Sequence, residues 1–209
     1  MTGSEGGHRV TAYGDRAVLV EAADPAGVPG LHRALLAAPL AGQVDLVPAA
    51  RTILVLLDRP VTDRDLTALR GLTPAGTTSG PVPDPVVLPV VFDGPDLAEV
   101  ARRTGRTEAD VVAALTDTAL TVAFGGFAPG FGYLTGLPAD LHVPRRATPR
   151  TRVPAGSVGL AGPYAGVYPR ASPGGWQLVG RTDAVLFDVD RDPPALLAPG
   201  RSVRFRAVG

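Results

Sequence analysis

Lysine, asparagine and cysteine are absent from this chain of 209 residues. All 20 basic residues are therefore arginine, and they balance 20 acidic residues to a formal net charge of zero. Without lysine, the chain has no P-loop lysine, no Schiff-base lysine and no Ser-x-x-Lys pair. Without cysteine, it has no disulfide, no thiolate nucleophile and no cysteine-ligated metal. The balanced charge also argues against a nucleic-acid-binding protein.

Long apolar stretches are missing as well. The run "TILVLL" at residues 52–57 has the length of a strand and is too short to cross a bilayer. The N-terminal "MTGSEGGHRV" lacks the basic and apolar regions of a signal peptide. We therefore expect a cytoplasmic protein without membrane contact. The three histidines lie far apart without metal-ligand spacing, so no metal site is predicted.

The first 75 residues alternate between strand and helix patterns. Residues 17–21 and 52–57 are rich in branched aliphatic side chains, which is typical of strands. Between them, "VPGLHRALLAA" places leucines at helical spacing, and "VTDRDLTALRG" begins with a capping box at Thr62 and Asp65. The order β-α-β-β-α predicts an α+β domain over residues 1–75, corresponding to half of a ferredoxin-like unit.

A second domain is predicted beyond a break in this pattern. Residues 71–85 are dominated by proline, glycine, serine and threonine, and we assign residues 76–85 as an interdomain linker. After two short helical patterns, the second of which begins with a capping box at Thr107 and Asp110, the chain from Leu120 onward consists of short apolar pieces separated by glycine and proline. This spacing predicts a mainly-β barrel domain over residues 86–209.

Arginine is concentrated without any acidic residue between Leu141 and Thr182. The six residues are Arg145, Arg146, Arg150, Arg152, Arg170 and Arg181. The rest of the chain carries 14 arginines against 20 carboxylates. The net charge of zero for the whole chain therefore conceals a strongly basic segment. Because the guanidinium fork suits carboxylate and phosphate, the segment predicts an anion-binding site whose counter-charge belongs to a ligand.

Aromatic residues are concentrated in an overlapping region. Seven of the eleven lie there: Phe124, Phe127, Phe131, Tyr133, Tyr164, Tyr168 and Trp176. They alternate with glycine and proline in "GGFAPGFGYLTG" and "SPGGWQ", which predicts loops that present aromatic faces to a concave pocket. The alternative is that the aromatic rings are core residues and that the arginines are solvated.

Ser157 lies in "AGSVG", which is similar to the Gly-x-Ser-x-Gly nucleophile elbow. The first glycine is replaced by alanine, and no strand-turn-helix pattern surrounds the motif. We therefore expect Ser157 to be a polar ligand contact and not a nucleophile.

Three longer segments resemble the signatures of one bacterial family: "FGGFAPGFGYLTGLP", "VPRRATPRTRVPAGSVGLAGPYAGVYPRASPGGWQLVGRT" and "LAPGRSVRF". This family has the carboxyltransferase domain, subdomains C and D, and comprises the B subunit of 5-oxoprolinase, the KipI sporulation-kinase inhibitor and allophanate hydrolase subunit 1. Weaker pieces, "YGDRAVLVE" and "PDLAEVARRTG", extend the resemblance over nearly the whole chain. The resemblance implies an N-terminal α+β domain followed by a cyclophilin-like β-barrel.

The resemblance also implies an activity and partners. A chain similar to the B subunit of 5-oxoprolinase would pair with a protein like the C subunit of that enzyme and act with a protein like its A subunit. This assembly would open 5-oxo-L-proline to L-glutamate, or hydrolyse a related lactam or amide, with hydrolysis of ATP, with or without Mg²⁺. Two alternatives remain within the family: a KipI-like inhibitor of a sensor histidine kinase, and a divergent allophanate hydrolase subunit 1-like protein. The barrel class alone suggests a third, prolyl isomerisation.

On this resemblance we assign candidate site residues. Substrate or anion binding is assigned to Arg145, Arg150, Arg152, Ser157 and Arg181. Lining of the pocket is assigned to Phe127, Pro129, Phe131, Tyr133, Tyr168, Ser172 and Trp176. No catalytic residue is assigned, because Leu115 and Leu120 stand where the family usually carries a histidine and a tyrosine, the natural proton-transfer and polar-contact groups. This departure leaves open a different substrate or a loss of activity.

Overall fold

The computed structural model describes residues 7–76 and 84–209. The chain separates into two compact units, which are described in turn. The assigned linker, residues 76–85, lies outside the described residues except at its two ends. The domain limits of 1–75 and 86–209 therefore stay predictions.

The first unit is an antiparallel sheet with two helices. Its strands are β1 (His8–Ala12), β2 (Ala17–Ala22), β3 (Gln43–Pro48) and β4 (Thr52–Leu57), and its helices are α1 (Val28–Ala37) and α2 (Asp63–Arg70). The strand order is β1-β2-β4-β3, with every neighbouring pair antiparallel. The capping box at Thr62 and Asp65 begins α2 as the sequence predicts. Alternate strand residues such as Val20 and Ile53 pack with Leu31 of α1 in one core.

The second unit is mainly β. Its strands are β5 (Val86–Val90), β6 (Leu120–Gly125), β7 (Gly132–Thr135), β8 (Arg150–Val153), β9 (Ser157–Ala161), β10 (Tyr164–Val167), β11 (Ser172–Gly174), β12 (Gln177–Arg181) and β13 (Ser202–Ala207). Its helices are α3 (Leu97–Thr104) and α4 (Glu108–Asp117). Seven strands form one sheet in the order β12-β9-β10-β7-β6-β13-β5, and β8 and β11 form a separate ribbon.

The two edges of the seven-stranded sheet meet. Val91, directly after β5, exchanges two backbone hydrogen bonds of 2.9 Å with Arg181 of β12. The chain continues along β12, where the amide of Gly94 donates to the carbonyl of Val179 at 3.2 Å. A Cβ at Gly94 would lie 2.3 Å from the carbonyl carbon of Val179, so only glycine permits this approach. The sheet is therefore nearly closed, and the predicted barrel-like, mainly-β character of this region is confirmed.

The described helices include none that is both long and apolar enough to cross a membrane.

Candidate functional site

The loop between β6 and β7 holds Phe127 in an unusual backbone conformation. Phe127 has φ of 65°, and the amide of Ala128 donates to the carbonyl of Gly126 at 2.7 Å around it. A hydrogen bond of this kind around a residue of positive φ corresponds to the rarer, strained form of the γ-turn. Such a conformation costs about 1–3 kcal/mol and persists where its surroundings hold it. The phenyl ring is left 58% exposed at the surface.

Trp176 lies among aromatic rings that come from several strands and loops. The centroid of its ring lies 5.5 Å from that of Phe131 and 5.7 Å from that of Tyr133, both in edge-to-face contact. Phe131 makes similar edge contacts with Phe127 at 5.3 Å and with Tyr168 at 5.5 Å. Edge-to-face pairs contribute about 0.5–1.5 kcal/mol each beyond burial. The rings therefore form one rigid aromatic cluster.

Two glycines make room for this cluster. A Cβ at Gly166 of β10 would lie 2.9 Å from Cζ of Phe131 and 3.0 Å from Cζ3 of Trp176. A Cβ at Gly174 of β11 would overlap the hydroxyl of Tyr168. The close packing of the rings thus depends on the missing side chains at both positions.

A pocket of about 240 Å³ opens over the aromatic cluster. Its lining consists of Phe127, Phe131, Tyr133, Arg145, Pro149, Tyr168, Pro173, Gly174, Gly175 and Trp176. Arg145 is the single charged residue in this lining, and the lining contains no carboxylate. Burial raises the pKa of the Tyr168 hydroxyl, so it stays protonated at neutral pH. The pocket therefore offers apolar faces, one guanidinium and a phenol. This set suits a small ligand that has an apolar body and one negative charge.

Six of the assigned site residues meet at this pocket. They are Phe127, Phe131, Tyr133, Arg145, Tyr168 and Trp176. The structure places the other six outside the lining: Pro129, Arg150, Arg152, Ser157, Ser172 and Arg181. Ser157 is buried and is the first residue of β9. A nucleophile elbow is followed by a helix, whereas β9 is followed by the strand β10. The binding roles assigned to all twelve stay predictions.

Three of the six clustered arginines form ion pairs with two carboxylates of the protein. Arg146 and Arg150 each donate at 2.8 Å to the carboxylate of Asp96, and Arg181 donates at 3.0 Å to Asp93. Both aspartates precede the acid-free segment in the sequence, so a count of charges within residues 141–182 does not include them. These three arginines therefore contact protein carboxylates, while the binding roles assigned to Arg150 and Arg181 stay predictions. Arg145 remains the arginine that lines the pocket.

Sequence reasoning missed four lining residues, namely Pro149, Pro173, Gly174 and Gly175. Three of them, Pro173, Gly174 and Gly175, lie in the run "SPGGW", which predicts a loop next to Trp176 but not that its proline and glycines line the pocket. It missed Asp96 entirely, because no motif connects this residue with the segment that it contacts.

Leu115 and Leu120 lie in the hydrophobic core of the second unit. Both are fully buried, Leu115 on α4 and Leu120 at the start of β6, and they belong to the same cluster as Val122 and Leu134. Neither residue lines the pocket. In this chain both positions stabilise the barrel and supply no polar group to the pocket.

The family can be assigned from this fold together with a sequence match. The family described as carboxyltransferase domain, subdomains C and D, matches residues 8–197. Because the match covers most of the chain, the chain belongs to this family.

Within the family, the chain is similar to proteins named as the B subunit of 5-oxoprolinase. The protein of this name from Escherichia coli O157:H7 is 56% identical over 123 residues, which cover 57% of this chain and 56% of that protein. The one from Haemophilus influenzae is 46% identical over 127 residues, covering 59% of this chain and 60% of that protein. The chain thus spans little more than half the length of the curated relatives that it matches.

Solved structures support the fold. A crystal structure of the protein TTHA0988 has a TM-score of 0.76 at 36% identity, over 93% of this chain and 40% of that one. The urea amidolyase of Kluyveromyces lactis has a TM-score of 0.71 at 22% identity, over 96% of this chain and 15% of that enzyme. At this identity, the second likeness shows a common fold alone.

Proposed function

We propose that this chain is the B-type subunit of an ATP-dependent hydrolase that opens 5-oxo-L-proline to L-glutamate. The observation that carries the proposal is the 56% identity to a protein named as the B subunit of 5-oxoprolinase. The pocket supports it, because 5-oxoproline is a small ring that bears one carboxylate. Its ring would pack against Trp176 and Phe131, and its carboxylate would pair with the guanidinium of Arg145.

ATP fits this pocket less well than the lactam does. A triphosphate carries several negative charges, which proteins usually bind with multiple cations or with backbone amides at a helix N-terminus. The pocket lining provides one guanidinium within about 240 Å³. We therefore propose that the nucleotide, with or without Mg²⁺, binds elsewhere in the assembly.

The proposal includes partners, a finer fold and a location. Two proteins, one like the C subunit of 5-oxoprolinase and one like its A subunit, would complete a cytoplasmic assembly. The first unit would be ferredoxin-like, because the order β1-β2-β4-β3 with two helices suits that arrangement if β1 takes the place of its last strand. The nearly closed second sheet would be the cyclophilin-like barrel.

A reconstituted assembly tests the proposed function. The chain is co-expressed with its C-type partner, the A-type partner is added, and ATP consumption is followed with and without 5-oxoproline. We expect ATP turnover that depends on the lactam. Arg145→Ala should raise KM for 5-oxoproline about 10- to 100-fold, because a charged hydrogen bond contributes about 1.5–3 kcal/mol.

The matched control is Arg170→Ala, which removes an exposed arginine of the same segment that does not line the pocket. It should leave KM within about twofold of the wild type. A stable complex without turnover on 5-oxoproline would refute the assignment of the substrate. Lowered autophosphorylation of a sensor histidine kinase on addition of the chain would instead support the KipI-like alternative.

A further inference from the structure

Asp96 joins three segments of the second unit through one buried carboxylate. Its side chain is 5% exposed. Oδ1 accepts hydrogen bonds from Arg146 and Arg150, both at 2.8 Å, and Oδ2 accepts one from the amide of Leu178 at 2.7 Å. Charge-assisted hydrogen bonds of this length are strong and directional. The carboxylate therefore fixes the positions of all three donors.

Each donor is next to the pocket along the chain. Arg146 directly follows the lining residue Arg145, Arg150 directly follows the lining residue Pro149, and Leu178 lies two residues after Trp176. A further backbone contact ties the same segments together, since the amide of Arg146 donates to the carbonyl of the lining residue Gly175 at 2.7 Å. Asp96 itself does not line the pocket.

We infer that Asp96 is a positioning residue that holds the Arg145–Pro149 wall of the pocket against the Trp176 wall, and so directs the guanidinium of Arg145 toward an anionic ligand. The inference rests on the proposed function for the identity of that ligand, the 5-oxoproline carboxylate. The part of the inference that concerns the shape of the pocket does not depend on the proposed function. Asp96 contributes no group to the reaction and acts through the two arginines.

The first test needs no ligand. Trp176 is the only tryptophan of the chain, so its emission and its quenching by acrylamide report on the pocket wall. In the full chain, Asp96→Asn should shift the emission to longer wavelength and increase quenching, while circular dichroism confirms folding. The control is Asp93→Asn, which breaks the pair of Asp93 and Arg181 outside the pocket and should leave both signals unchanged.

The second test uses the assembled enzyme and 5-oxoproline. Asp96→Asn should raise KM about 10-fold while kcat changes less than about threefold, the pattern of lost binding. If Asp96 acts through Arg145, this increase should largely disappear in an Arg145→Ala background, because the two changes remove the same interaction. Should Asp96→Asn unfold the chain, Arg146→Gln serves instead, since it leaves the pair of Asp96 and Arg150.

Failure of the two proposals can be told apart. Wild-type assembly without lactam-dependent turnover would refute the proposed function, and the emission of Trp176 would then decide the positioning role alone. Trp176 signals of Asp96→Asn, or of Arg146→Gln, that match those of Asp93→Asn would overturn the positioning role. So would independent, multiplying effects of Asp96→Asn and Arg145→Ala on KM.

Discussion

Gly166 of β10 lies directly beneath two rings of the aromatic cluster, and Gly166→Ala probes how tightly they pack. The new methyl group would be 2.9 Å from Phe131 and 3.0 Å from Trp176, closer than carbon atoms normally approach. Overpacking a close-packed core costs about 1–3 kcal/mol. The lower backbone entropy of alanine in the unfolded chain recovers about 0.4–1 kcal/mol. The difference spans about 0–2.6 kcal/mol, and because two rings are approached at once we expect a net loss of about 1–2 kcal/mol in the free energy of unfolding.

Urea unfolding followed by the fluorescence of Trp176 measures this loss, because the only tryptophan lies in the second unit and reports on that unit. The midpoint should fall while the slope m stays constant, which would show that stability alone has changed. The matched control is Gly125→Ala in β6, where the nearest neighbour of the new methyl group is the Phe131 carbonyl oxygen at 3.8 Å. If Gly166→Ala were as stable as the wild type, or more stable, the close packing of Phe131 and Trp176 on Gly166 would be refuted.

Two further predictions concern the second unit. Burial alone would raise the pKa of the Asp96 carboxyl, but hydrogen bonds from Arg150 and the Leu178 amide, with the charges of Arg150 and Arg146, outweigh burial and lower it. The resulting stability should be complete above the unfolded pKa of about 4 and decline as the pH falls below it, more steeply in the wild type than in Asp96→Asn. Urea titrations between pH 2 and pH 7 test this; parallel curves would contradict it. Leu115→Ala should lower the free energy of unfolding by about 2–5 kcal/mol, because it leaves a cavity in the core. The control Val189→Ala changes a side chain that is 76% exposed and should alter the free energy of unfolding by less than about 0.5 kcal/mol. A similar loss in both variants would place Leu115 outside the core.

Local features were the ones that the sequence predicted well. The capping boxes at Thr62 and Thr107 begin α2 and α4, because each depends on hydrogen bonds between residues three apart. The concentration of aromatic residues among glycine and proline predicted a pocket, and six of the twelve assigned residues line one, while their binding roles stay predictions. The family followed from the same segments, and the match over residues 8–197 confirms it.

Contacts between distant parts of the chain were beyond the sequence pattern. Closure of the sheet joins Val91 to Arg181, and the carboxylate of Asp96 reaches Arg146 and Arg150, which lie 50 and 54 residues further along the chain. A count of charges within one segment treats all six arginines as unpaired, although three of them contact two carboxylates from another segment. Leu115 and Leu120 illustrate the same limit, since only the packed core shows that they lie away from the pocket.

The sequence by itself therefore determined the helix starts, the strand-rich character of the second unit, the concentration of rings and guanidinium groups, and the family. These properties depend on residue type and on spacing within a few residues. Only the tertiary structure decided which arginine lines the pocket and which are paired within the protein. The physical reason is that ion pairing depends on distance in space, and the folded chain brings Asp93 and Asp96 beside three arginines while Arg145 lines the pocket.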